Sequence, residues 1–317
     1  MKLFKKCSTS FKELIVFFLQ VLKSMCFLWL LLFKLIPPID CENNAFAKML
    51  FLLYNMLCIK KDCMIRKEFA TNMEIKENER IDDLQFKGLK IIQNKESFCF
   101  GVDSILLTDF ASKIKNGCKV LDLGTGTGVI AILLAAKTKL KHIIGVEKQT
   151  EMAELANRNV KLNNLGNKVK IVNLDVLNLS ELYTKNSFDV VVTNPPYKKK
   201  NTGVINQTEK KYLARHELTA TLEDFIKISN DMLKENGEFY MVHKPERLVD
   251  IISSMRLNNL EPKKLRFVFS NIHKEPSLIL VKGVKGGKPF LKIEKNLYIY
   301  DENGNYTEEI NKIYNKE

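Results

Sequence analysis

The sequence predicts a doubly wound α/β fold: a mostly parallel sheet, helices on both faces, and an antiparallel C-terminal hairpin closing one edge. Three observations carry the prediction. From Phe98 onward, short runs of Val, Ile, Leu and Phe alternate with stretches of helical period. The runs are nearly continuous in apolar residues, as strands covered on both faces must be. The first run also feeds straight into a glycine-rich turn and then a helix, an arrangement typical of open α/β sheets.

In chain order, the predicted strands fall at 119–123, 142–147, 169–174, 188–193 and 237–242, and the predicted helices at 129–137, 151–163, 222–234 and 246–258. In the third helix Leu222, Phe225, Ile226 and Met232 share one stripe. Strands at 264–270 and 277–282, joined by six residues, read as the closing hairpin. Residues 285–288 read as a turn, and 296–317 as a surface tail.

The composition bounds the class. Of 317 residues, 45% are hydrophobic and 27% charged, which excludes wholesale disorder, collagen and coiled coil. Seven unevenly placed cysteines exclude a disulfide scaffold. The first 72 residues hold no glycine, five of the seven cysteines and the sole tryptophan, so a boundary belongs near Met73, with the principal domain in 73–317. Residues 1–72 read best as upstream sequence before a start at Met64 or Met73. The alternatives are an apolar anchor or signal, and an amphipathic helix on another surface. The longest unbroken apolar run there, 25–33, is far short of the roughly 20 residues a bilayer span requires.

The glycine turn reads Asp122-Leu123-Gly124-Thr125-Gly126-Thr127-Gly128. Glycine serves where the backbone takes positive φ or a ligand comes close. Glu147, at the end of the next strand, lies where an acid would hold a ribose hydroxyl. The dinucleotide fingerprint has Gly-x-Gly-x-x-Gly spacing, whereas Val129 stands where its third glycine would fall. Asp122 would also sit badly against a pyrophosphate and suits a cationic amino-acid head. The turn therefore resembles the S-adenosylmethionine loop of Rossmann-like methyltransferases. A dinucleotide loop and a structural turn remain the alternatives. In that class an acid at Asp175, ending the third strand, contacts the adenine amino group; otherwise Asp175 caps the following turn.

Asn194-Pro195-Pro196-Tyr197 directly follows the fourth strand. Two prolines lack N–H groups and fix φ, giving a stiff corner. An Asn oxygen beside the Pro195 carbonyl offers two acceptors to one planar NH₂ group. Such an amine is a poor nucleophile because its lone pair is delocalised. Drawing its hydrogens out of plane favours the geometry of methyl transfer and stabilises the developing charge. Tyr197 can stack on a flat acceptor. The acceptor is an exocyclic or amide nitrogen: adenine N6, cytosine N4, guanine N2 or a glutamine side chain.

Together with Glu79–Leu84, Phe98–Leu107, Ala214-Arg215-His216-Glu217 and Lys244-Pro245-Glu246-Arg247-Leu248, these motifs resemble the tRNA1(Val) (adenine(37)-N6)-methyltransferase family. The resemblance spans most of 73–314 and none of 1–72. It implies a Rossmann-like class I methyltransferase fold, S-adenosylmethionine as cofactor, tRNA as partner, the cytoplasm as compartment, and adenine N6 at anticodon-loop position 37 as the target. It also implies that Phe100 and Gly101 close over the methionine end of the cofactor. Asp103 and Ser104 then have either a site role or an ordinary place at a helix start.

Lys198, Lys199, Lys200 and Arg215 put cations beside the acceptor corner, as a phosphate backbone requires. A protein glutamine acceptor of the release-factor type, an rRNA amine, and a non-catalytic cofactor-binding scaffold are the competing readings. The four histidines and the cysteines of 73–317 show no metal-ligand spacing, so no metal is expected.

Overall fold

In the computed structural model, which describes residues 75–95, 100–197 and 220–314, the glycine-turn strand lies near the middle of a nine-stranded sheet. The chain enters through a hairpin, β1 (Glu79–Asp83) and β2 (Lys90–Asn94), which forms a separate two-stranded sheet. Then follow α1 (Val102–Phe110), β3 (Lys119–Leu123), α2 (Val129–Lys137), β4 (His142–Glu147), α3 (Thr150–Leu162), β5 (Val169–Asn173) and β6 (Phe188–Thr193). After these come α4 (Leu222–Met232), β7 (Leu233–His243), α5 (Leu248–Leu257), β8 (Leu260–Phe269), β9 (Pro276–Lys285), β10 (Lys292–Ile293), β11 (Leu297–Tyr298) and α6 (Glu308–Ile313).

Across the main sheet the order is β10-β8-β9-β7-β6-β3-β4-β5, with β11 pairing the end of β8. The strands from β7 through β6, β3 and β4 to β5 are mutually parallel, and β9 is antiparallel to both β7 and β8. Successive residues of a strand point to opposite faces. Val120, Ile143, Val190, Val192 and Val242 therefore join α1, α2 and α3 in one core. Leu121, Leu123, Val146, Val191, Phe239 and Met241 join α4 and α5 in the other. Both faces are covered, which accounts for the unbroken apolar runs.

The first four strands and the first two helices fall within a residue of the positions read from the sequence. The closing hairpin is longer than read, β8 starting at Leu260 rather than 264 and β9 running to Lys285 rather than 282. Three further differences stand out. The helix expected at 222–234 stops at Met232, because Leu233 already pairs with Phe188 and opens an eleven-residue strand. The helix expected at 246–258 begins with a 3₁₀ turn, Pro245–Arg247, in which proline takes the first position, where a helix needs no N–H donor, and the α-helix proper runs Leu248–Leu257. The expected surface tail is a packed element. Leu297 extends the edge of β8, and Leu297, Ile299, Ile310, Ile313 and Tyr314 are buried against α1 and α2. The rings of Tyr300, Tyr306 and Tyr314 stack in succession, with centroids 5.4 and 5.6 Å apart.

The entry hairpin is bound to the sheet through α3. Asn159, fully buried, accepts from the Ile92 N–H at 2.7 Å and donates to the carbonyls of Ile92 and Thr127. Arg158 forms a two-pronged ion pair with Glu79 at 2.6 and 2.8 Å. The expectations for residues 1–72 lie outside the described residues. Among those described, no helix is long and apolar enough to cross a membrane.

Candidate active site

β3 has β4 on one side and β6 on the other, so the chain reverses its direction of winding between β3 and β6. Ligands of open α/β sheets bind beyond the carboxyl ends of the strands at such a reversal. Both sequence motifs emerge there: the glycine turn from β3 and the diproline corner from β6. Leu123 and Thr193 are register partners, and the Thr193 hydroxyl donates to the Leu123 carbonyl at 2.9 Å. The two loops thus start side by side.

Gly124, Gly126 and Gly128 all have left-handed φ, at +72°, +56° and +86°, a conformation in which a side chain would be strained. The N–H groups of Gly124 and Thr125 donate to the Val146 carbonyl, which ties the turn to β4. A Cβ at Gly126 would meet nothing within 4 Å, so open space lies over the turn. Glu147 ends β4 with one oxygen accepting from Gly126 N–H at 3.0 Å and the other from Gln149 N–H at 2.9 Å. A carboxylate has further lone pairs beyond these two bonds.

Asp122 lies beneath the turn, fully buried. Its Oδ2 accepts from the Thr125 hydroxyl at 2.6 Å, while Oδ1 has no hydrogen-bond partner among the described residues. Burial, opposed by the Thr125 bond and reinforced by the negative Glu147, pushes its carboxyl up to about 7. A buried acid with no cation beside it, only partly satisfied by hydrogen bonds and next to the glycine turn, is the environment a cationic ligand head would relieve. Asp175 occupies the capping role foreseen as its alternative: Oδ1 accepts from Leu177 N–H at 3.1 Å, and Oδ2 pairs with Lys148 at 3.0 Å.

On the other side of the reversal, Pro195 is buried, Pro196 exposed, and Asn194 and Tyr197 half-buried. Asn194 and Tyr197 both reach Asp103, in the first turn of α1. Gly101, just before that helix, is extended, and a Cβ there would approach the Asp103 carboxylate to 2.9 Å. Glycine at this position therefore makes room for Asp103. Phe100 N–H donates to Gln93 of β2 at 2.8 Å, so the entry hairpin holds the Phe100-Gly101 segment in place.

His243 was not singled out by its sequence context. It ends β7, is fully buried, accepts from Lys244 N–H at its Nδ1, and meets the Tyr197 ring edge-on at 5.1 Å. Burial pushes its imidazole down to about 4, so it is neutral. The Lys244 ammonium lies 5.5 Å over the Tyr197 ring, a cation–π distance. Only the adjacency of β6 and β7 reveals these neighbours. Lys198, Lys199, Lys200 and Arg215 lie outside the described residues, as do Phe98 and His216. Among the described residues no group of His, Cys, Asp and Glu could hold a metal ion.

The fold and the paired loops define a class I methyltransferase, and comparisons with known proteins agree. Residues 100–252 match the Methyltransferase small domain. A predicted O-methyltransferase of Agrobacterium tumefaciens has the same fold, with TM-score 0.55 and 20% identity over 68% of this chain and 96% of that one. The tRNA1(Val) (adenine(37)-N6)-methyltransferase of Porphyromonas gingivalis is 31% identical over 206 residues, covering 63% of this chain and 79% of its own. That of Haemophilus influenzae is 30% identical over 224 residues, covering 70% and 92%. The chain belongs to the tRNA1(Val) (adenine(37)-N6)-methyltransferase family.

Proposed function

We propose that this protein transfers a methyl group from S-adenosylmethionine to N6 of an adenine in tRNA, at anticodon-loop position 37. The observation that carries the reading is the emergence of the diproline corner and the glycine turn from neighbouring parallel strands at one sheet reversal. Family membership names the acceptor.

Glu147 and the turn Gly124–Gly128 would hold the nucleoside half of the cofactor, and Asp122 would supply the negative charge for its amino-acid head. Phe100 and Gly101 would border the methionine end, and Asp175 the adenine. Bound there, the cofactor supplies an electrophilic methyl on a sulfonium. The Asn194 oxygen and the Pro195 carbonyl accept the two hydrogens of N6 and favour the pyramidal nitrogen of the transition state. With N6 held in this way, its lone pair would be free to take the methyl group, and the cofactor's sulfur would keep the electron pair of the broken C–S bond. The surplus proton on nitrogen then passes to water. Tyr197 would support the base, and Lys198, Lys199, Lys200 and Arg215 would meet phosphates of the tRNA.

The test is incubation with tritiated cofactor and unmodified tRNA, followed by digestion to nucleosides. Label in N6-methyladenosine is expected. Label in a release-factor glutamine, or in another nucleoside, would overturn the acceptor assignment. Cofactor binding with no transfer to any of these would leave a scaffold.

A further inference from the structure

Asn194 and Tyr197 converge on one carboxylate more than ninety residues away in sequence. Asp103 Oδ2 accepts from Asn194 Nδ2 at 3.1 Å and from the Tyr197 hydroxyl at 2.7 Å. Its Oδ1 accepts from Ser104 N–H at 2.8 Å, within the first turn of α1, where the helix dipole favours a negative group. The residue is only 7% exposed. The Ser104 hydroxyl, 3.4 Å from Asn194 Nδ2, is a weaker second partner.

An amide has one donating and one accepting end, and the two differ only by a 180° flip. A carboxylate can only accept. Asp103 therefore fixes Nδ2 toward itself and turns the Asn194 oxygen the other way. The opposite flip would set a carbonyl oxygen against a carboxylate oxygen. We propose that Asp103 is a positioning residue which decides which end of the Asn194 amide is offered to the acceptor amine. The inference rests on the methyl-transfer reading above. An amine donates its hydrogens, so only the oxygen end is productive, and the NH₂ end would face it donor to donor. By holding the Tyr197 hydroxyl as well, the same oxygen fixes the ring that borders the acceptor.

Asp103→Asn keeps the shape but replaces an acceptor-only group with one that both donates and accepts, so Asn194 loses its preferred flip. The expected result is a fall in kcat of about 10- to 100-fold, the scale of one charge-assisted hydrogen bond. KM for tRNA, cofactor affinity and thermal midpoint should stay near wild type. In the Asn194→Ala background the same change should cost nothing further, because Asp103 acts through Asn194. Tyr197→Phe, which removes only the second bond, should cost less than Asp103→Asn. An unchanged kcat in Asp103→Asn, or additive losses in the double variant, would overturn the proposal.

A second readout needs no substrate. In ¹⁵N spectra of the full chain, the Asn194 side-chain amide, assigned by its loss in Asn194→Ala, should show one downfield-shifted, slowly exchanging proton in the wild type. Asp103→Asn should collapse that difference, and its persistence would overturn the proposal. A wild-type protein inactive on tRNA would sink the functional reading alone, and the amide resonance would still decide the role of Asp103.

Discussion

Asp122, on the strand that leads into the glycine turn, and Asn194, on the corner beside it, make opposite demands on charge. The Asp122 carboxyl is raised from 3.8 to about 7, so in cofactor-free protein its proton is held by the folded state and released by the unfolded one. That contribution to stability is fully present below pH 4 and is lost as pH rises through about 7. Relative to Asp122→Asn, the wild-type thermal midpoint should decline across that window when followed by scanning fluorimetry; parallel profiles would refute a raised carboxyl. Cofactor affinity should run the other way in the wild type, tightening as the acid ionises. Asn194→Ala should lower turnover by about 10²-fold, the scale of removing one transition-state hydrogen-bonding group, with cofactor affinity by calorimetry unchanged. Equal loss of both would count against the acceptor role. At this scale the sequence made Asp122, Glu147 and Asn194 readable because short motifs fix them relative to a turn. The hydrogen bonds of Asp103 to Asn194 and Tyr197 and the packing of His243 on Tyr197 were hidden, because the first depends on where α1 packs and the second on β7 becoming the neighbour of β6.

Elements differ in how openly they declare themselves. The parallel strands read clearly because burial on both faces leaves little but Val, Ile, Leu and Phe. The entry hairpin does not: β1 is Glu-Arg-Ile-Asp-Asp, a charged strand tied to α3 by Arg158 through Glu79, while Asn159 of the same helix holds its partner β2 at Ile92. The C-terminal segment was misread for a related reason. Its strands are two residues long, and its burial comes from isolated residues such as Ile299 and Ile310 rather than from a periodic run. Asn159→Ala removes three main-chain partners at once and leaves the Ile92 N–H without its side-chain acceptor. A loss of about 2–4 kcal/mol in urea unfolding is expected. Hydrogen exchange should rise first in β1 and β2; uniform exchange would show that the hairpin is held otherwise.

Over the whole chain, the +13 net charge suits a polyanionic partner. If Lys198, Lys199, Lys200 and Arg215 each neutralise one phosphate, log affinity for tRNA should fall with log salt at a slope of about −3. Replacing the three lysines with alanine should bring the slope to about −1, measured by fluorescence anisotropy over a salt series. An unaltered slope would move the contact surface elsewhere. The parallel pairing of the main sheet was legible in the alternation of strands and helices, since crossover connections join parallel strands. The strand order β10-β8-β9-β7-β6-β3-β4-β5 was not, because it depends on which side of β3 each crossover returns.

The bond from Thr193 to the Leu123 carbonyl has one more consequence. Because it joins the last residues of adjoining strands, the glycine turn and the diproline corner set out one ladder spacing apart, about 4.8 Å, a span the backbone rather than any side chain decides. Mutational drift can reshape what each loop presents, but the footing from which both loops leave the sheet is inherited from the ladder and stays put.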